Sequence, residues 1–221
     1  MKEKPFDRIK TVFLDYDGTL HNSIKIYGPA FRKAYEYLVR MGLAKERDWS
    51  DKEISYWLGF SPPEMWADFM PDLDEDVRKT CSAIVGEEMK SLTEKGKAQL
   101  YDGALDTLEY LKNKGYHLVF ISNCKIAYKD THSELFSLGE YFKELVCSEE
   151  YDFIPKYEIL KGIKNNYEEE MVIIGDRLQD IEAGTKNGIY TIGCRYGFSL
   201  EGELEEADLI IEDIYDLKKY L

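Results

Sequence analysis

Apolar residues in this chain gather in five short runs: TVFLD (11–15), YHLVFIS (116–122), ELVC (144–147), MVIIG (171–175) and IYTIGC (189–194), with ADLII (207–211) as a sixth. The runs are nearly continuous rather than alternating, which predicts strands buried on both faces, as in a parallel sheet. Between them, apolar positions recur at helical spacing over 104–114, about 125–138, 157–166 and 177–187. Gly115, Gly139 and Gly188 stand where those helices are expected to stop. Strand alternating with helix predicts an α/β fold, a doubly wound parallel sheet.

The alternation fails in one place. From about Asn22 to Gln99 the pattern contains only helical signals. GPAFRKAYEYLVRMG (28–42) spaces Phe31, Tyr35 and Leu38 on one face. Ser50 with Glu53, and Ser61 with Pro62 and Glu64, each read as a capped helix start. DEDVRKTCSAIVGEEMKSLTEKG (74–96) is a long fourth helix with acidic residues in its first turn. The expected organisation is therefore an α/β core from residues 1–21 and 100–221, with an inserted all-helical cap domain over 22–99. Ligands of open α/β sheets bind at the carboxyl ends of the strands. An insertion that leaves from the end of the first strand is expected to overhang that crevice as a lid. The chain shows no internal repeat and no low-complexity segment.

Charge narrows the partners. At 221 residues and a net charge of −14, the chain lacks the basic footprint that a nucleic-acid polymer requires. A small anionic substrate stays open, because a metal ion can reverse the local sign. The apolar runs are far too short to span a bilayer, so no membrane partner is expected. MKEKPFDRIK has no apolar core of a signal peptide, which predicts a cytoplasmic location. Cys81, Cys124, Cys147 and Cys194 have no metal-ligand spacing and are expected as small buried residues. Nothing in the sequence sets an oligomeric state.

The carboxyl ends of the predicted strands carry the chemistry. The first ends in Asp15 and Asp17, the second in Ser122 and Asn123, and the fourth in Gly-Asp-Arg-Leu-Gln-Asp, with Asp176 and Asp180; Lys156 opens a helix after the third. Taken singly, each has a structural explanation. Asp17-Gly18 can be a turn, Ser122-Asn123 can cap a helix, and Asp176 can cap the helix at 177–187. Together they converge on one edge of one sheet. Two carboxylates about 4 Å apart repel by roughly 4 kcal/mol at an effective dielectric near 20. Four of them in one crevice are untenable against a fold stability of about 5–15 kcal/mol unless cations share the site. All-oxygen ligands without nearby His or Cys suit Mg²⁺, and a hydroxyl, backbone N–H groups and a lysine then complete a phosphate cradle.

DYDGTL (15–20), ISN (121–123), Lys156 and GDRLQD (175–180) resemble the four ordered motifs of the haloacid dehalogenase-like superfamily. The resemblance covers essentially the whole chain, and the helical insertion is similar to that family's type 1 cap. The subgroup it resembles is the phosphoglycolate-phosphatase-like enzymes. The resemblance implies a Mg²⁺-dependent phosphatase of small phosphomonoesters acting through an aspartyl-phosphate. Asp15 would be the nucleophile and a metal ligand. Asp17 would protonate the leaving oxygen and then activate water, with its backbone carbonyl facing the metal. Ser122, with the Asn123 backbone, would bind phosphate oxygens, and Lys156 would bridge phosphate and Asp15. Asp176 would ligate the metal and Asp180 would support it. The acid at position 17 favours phosphoester chemistry over dehalogenation.

Departures from the family pattern concern the substrate. Asn22-Ser23 replaces the frequent Asp-Ser, Tyr157 replaces the proline after the motif lysine, and Arg177 replaces a small polar residue. Arg177 is expected either to touch a substrate anion or to pair with a carboxylate at the helix start. WLGFSPPEMW (57–66) is the candidate substrate loop, with packing of Trp57, Phe60 and Trp66 inside the cap as the alternative. His21 is close enough in sequence to contact the site; His117 is expected inside a strand and His132 on a helix surface. The expected partner is a small phosphorylated metabolite: a two- or three-carbon, sugar or nucleoside monophosphate. Competing readings are a sugar-phosphate phosphomutase on the same fold, a phospho-accepting receiver-type signalling module, and a catalytically silent binding module. Receivers lack both a large lid and an acid two residues after the phosphorylated aspartate, and here every catalytic position is filled.

Overall fold

The computed structural model describes residues 6–167 and 170–221. The chain divides into two compact units, one of residues 1–21 and 100–221 and one of residues 22–99. Along the chain the elements are β1 (Thr11–Leu14), α1 (Ile24–Arg40), α2 (Asp51–Ile54), α3 (Pro62–Phe69), α4 (Glu75–Glu94), α5 (Ala104–Asn113), β2 (His117–Ser122), α6 (Ile126–Leu135), β3 (Glu144–Cys147), α7 (Lys156–Ile163), β4 (Met171–Gly175), α8 (Leu178–Asn187), β5 (Tyr190–Cys194), β6 (Leu209–Ile211) and α9 (Leu217–Tyr220).

In the first unit six parallel strands form one sheet in the order β3-β2-β1-β4-β5-β6. Successive side chains of a strand point to opposite faces. Val12 and Leu14 of β1 therefore join one core with Leu108 and Leu111 of α5, while Phe13 joins a second core with Ile159 and Leu160 of α7 and Ala183 of α8. Both faces of β1 are covered, which is why its apolar run is unbroken. The strand order reverses between β1 and β4. Doubly wound sheets open their ligand crevice at such a switch point, outside the carboxyl ends of the strands.

The second unit is helical. α1 and α4 are its long helices, and Phe31, Trp49, Trp57 and Phe69 pack ring against ring, with Phe31 stacked on Trp57 at 5.3 Å between centroids. Both predicted capping boxes form: Ser50 accepts from the Glu53 N–H and Ser61 from the Glu64 N–H, with each glutamate returning to the cap backbone. α1 begins four residues before the Gly28-Pro29 pair that opened its sequence signal. Pro29 forfeits one hydrogen bond there, offset by burial of Ile26, Tyr27 and Phe31 along the same face. Among the described residues, no helix is long and apolar enough to cross a membrane.

Two glycine expectations hold and one fails. Gly115 and Gly188 sit at helix ends with φ of +90° and +66°. α6 instead ends at Leu135; Ser137 supplies the left-handed residue at φ +52°, and Gly139 lies inside a 3₁₀ turn, Leu138–Glu140. Leu138 and Phe142 are buried in the core, so packing closes this turn ahead of the glycine.

Candidate active site

β1 runs straight into Asp15, β4 into Asp176, and the two strands are neighbours. The first turn of α8 adds Asp180, and Lys156 is the first residue of α7. Asp15, Asp176 and Asp180 are all buried, and each offers an oxygen within 4.8 Å of the other two. Lys156 donates to Asp15 Oδ1 at 2.7 Å and to Asp180 Oδ1 at 2.6 Å. The backbone N–H of Phe198 donates to Asp176 Oδ2 at 2.6 Å, and the Thr19 hydroxyl lies 3.4 Å from Asp176 Oδ1.

Gly18, Gly175 and Gly197 allow this approach. Gly18 has φ +86°, and a Cβ there would lie 2.1 Å from Asp176 Oδ2. A Cβ at Gly175 would lie 2.1 Å from the Asp180 carboxyl carbon. Such a side chain would occupy the space the carboxylates fill.

Burial pushes the Asp15 carboxyl well above the ordinary carboxylate range, against the pull of Lys156. Burial, reinforced by the charge of Asp180, raises Asp176 to about 7. Burial acts in the opposite sense on the Lys156 ammonium, but the charges of Asp15 and Asp180 overcome it and raise its pKa. Three carboxylates facing one ammonium leave two negative charges to balance when all are ionised. A buried, all-oxygen donor set with that deficit fits a hard divalent cation such as Mg²⁺.

Asp17 stands apart from this cluster. Its Oδ1 accepts from the Tyr128 hydroxyl at 2.7 Å and lies 3.3 Å from His21 Nδ1. Burial tends to raise its pKa, but the bonds and charge from His21, with the Tyr128 bond, outweigh that and hold it below the usual value. Ser122 ends β2 and is buried, hydrogen-bonded to Cys124, with Asn123 following at the same sheet edge. Neither Ser122 nor Asn123 caps the next helix, whose N-cap is Lys125. Asp176 does not cap α8 either: Arg177 holds that position, and Asp180 Oδ2 accepts its N–H at 3.1 Å.

Arg177 pairs with a carboxylate, and its charge also acts on Asp176 just ahead of α8. Its Nε and Nη2 donate to Glu203 at 2.8 and 3.0 Å. His117 opens β2, as expected. The expectation for His132 is overturned: it is fully buried, and Nδ1 lies 2.8 Å from the Tyr16 hydroxyl. Surrounding rings (Tyr16, His21, Tyr128) make an aromatic slot that helical periodicity alone does not reveal. All four cysteines are buried and unbridged. Trp57 and Trp66 are buried within the helical unit, donating to Asp68 and Ser82. Tyr128, Glu203 and the Phe198 N–H have no motif that marks them; the signal available for Tyr128 is its place one turn beyond the end of a strand that already carries Ser122.

Residues 12–194 match the profile of the haloacid dehalogenase-like hydrolases. The chain belongs to that family. As a haloacid dehalogenase-like hydrolase it is similar to the phosphoglycolate phosphatase of Haemophilus influenzae, at 25% identity over 97% of this chain and 99% of that protein. It is also similar to the glyceraldehyde 3-phosphate phosphatase of Pyrococcus furiosus, at 25% identity over 97% and 93% of the two chains. Among solved structures of this fold, a predicted phosphatase from Clostridium acetobutylicum superposes with a TM-score of 0.81 at 22% identity, covering 96% and 97% of the two chains. That likeness of fold covers 96% of this chain.

Proposed function

We propose that this haloacid dehalogenase-like hydrolase is a Mg²⁺-dependent phosphatase of small phosphomonoesters that works through a phosphorylated Asp15. The observation that carries the reading is the buried cluster of Asp15, Lys156, Asp176 and Asp180 at the reversal of strand order. Relatives named for phosphoglycolate and glyceraldehyde 3-phosphate support a small phosphate ester as substrate.

Asp15, Asp176 and Asp180 are the residues that would hold Mg²⁺, with the Asp17 carbonyl. When bound, the ion neutralises charge on the phosphoryl oxygens and on the carboxylates around them. Asp15 attacks phosphorus; the bond to the leaving oxygen breaks as Asp17 gives that oxygen a proton. Asp17 then takes a proton from water, whose oxygen attacks the phosphoryl group, releasing inorganic phosphate and restoring the Asp15 carboxylate. A carboxylate nucleophile divides the hydrolysis into two easier steps, and one residue serves as acid and then base. Lys156 keeps Asp15 aimed and, with Ser122 and the Asn123 backbone, receives the phosphate oxygens. The helical unit of residues 22–99 is the cap in this reading, and substrate choice resides there.

Release of phosphate from p-nitrophenyl phosphate should depend on Mg²⁺, stop with EDTA, and fall at least about a thousandfold in Asp15→Asn. Undiminished turnover in purified Asp15→Asn would refute the mechanism. Free phosphate as product separates this reading from a phosphomutase, and multiple turnover separates it from a receiver.

A further inference from the structure

We propose that Tyr128 is a positioning residue that orients the Asp17 carboxylate for proton transfer, with His21 bracing the pair. The proposal deepens the phosphatase reading and rests on its assignment of Asp17 as acid and base. Tyr128 lies in the first turn of α6, and its hydroxyl donates to Asp17 Oδ1 at 2.7 Å. The same hydroxyl lies 3.0 Å from His21 Nδ1, and that nitrogen lies 3.3 Å from Asp17 Oδ1. With the Tyr128 proton given to Asp17, the triangle is satisfied when His21 carries its proton on Nδ1 and donates into it, an assignment made from the network.

Both braces are rigid. His21 is fully buried, stacked on the Tyr16 ring at 5.1 Å and 10°; its N–H donates to the Tyr16 carbonyl and its carbonyl accepts from Gly18. The Tyr128 ring packs on His132 at 4.1 Å between centroids. The two contacts converge on Oδ1, so Oδ2 is the oxygen left to carry a proton. A hydroxyl donating to Oδ1 keeps its bond whether Oδ2 is protonated or bare. The carboxyl can therefore switch from acid to base without rearranging its supports, which is the preorganisation that proton transfer rewards.

The test uses leaving-group dependence, which a merely structural residue would not move. An alkoxide needs a proton to depart and nitrophenolate hardly does, and kcat/KM reports the step in which Asp15 is phosphorylated. The ratio of kcat/KM for p-nitrophenyl phosphate to that for the wild type's fastest alkyl monophosphate should rise about tenfold in Tyr128→Phe, a fraction of the general-acid contribution of about 10²–10⁴. Because both rates come from one preparation, the ratio is independent of the folded fraction. Asp17→Asn should raise the ratio further, and adding Tyr128→Phe to it should change the ratio little. An unchanged ratio in Tyr128→Phe beside a raised one in Asp17→Asn overturns the role of Tyr128 alone. An unchanged ratio in Asp17→Asn overturns the acid assignment, and the positioning role with it.

Discussion

At the scale of residues, His132 shows how burial sets a cost that depends on pH. Desolvation, helped by neighbouring His21 and opposed by the charge of Asp17, lowers its pKa to about 3. The folded chain holds it neutral with Nδ1 beside the Tyr16 hydroxyl, whereas the unfolded chain protonates it near pH 6.5. Because the folded value is depressed, the contribution is complete above pH 6.5 and is lost as pH falls toward 3. Between pH 7.5 and 5.5 the wild type should lose about 1 kcal/mol of unfolding free energy that His132→Asn does not lose. Urea titrations at the two values measure this, and parallel losses in both proteins would contradict it. The sequence placed this histidine on a helix surface because its slot is lined by Tyr16 and His21, more than a hundred residues away. The same separation hid Tyr128. Asp15 and Asp176 were legible because each follows an apolar strand directly, so position in the chain encodes position at the sheet edge.

At the scale of elements, legibility followed the range of the interactions that form each one. The capping boxes at Ser50 and Ser61 are local and were readable residue by residue. Strands of the parallel sheet were readable from their unbroken apolar runs, since burial on both faces admits little else. The end of α6 was not, because core contacts of Leu138 and Phe142 rather than Gly139 decide where it stops. Local caps also make local costs. Ser61 Oγ accepts from the Glu64 N–H and the Glu64 carboxylate reaches back to the Ser61 N–H at 2.8 Å. Ser61→Ala should destabilise the protein by about 1 kcal/mol. Equal midpoints in chemical denaturation would show that the cap contributes nothing.

At the scale of the whole molecule, a chain of net charge −14 concentrates three buried carboxylates around one lysine. A ligand that binds only the folded state stabilises it in proportion to the logarithm of its concentration over Kd. Mg²⁺ should therefore raise the melting temperature further than NaCl of equal ionic strength, and Asp176→Asn should remove the difference. If the variant responds to Mg²⁺ as the wild type does, general screening of the acidic surface accounts for the effect. The fold tolerates wide change elsewhere. Identity of 22% accompanies a TM-score of 0.81 with the solved structure from Clostridium acetobutylicum, because buried volume and strand order survive substitutions that identity counts as losses.

The bond from the Phe198 N–H to Asp176 carries this further. Its donor belongs to the main chain, so any residue except proline at 198 can supply it. A contact of this kind leaves no trace in amino-acid type: evolution can rewrite position 198 freely while the carboxylate stays held. Where the segment carrying residue 198 returns to the start of α8, it is side chains that act, through the Arg177–Glu203 pair, so there the residue type does matter.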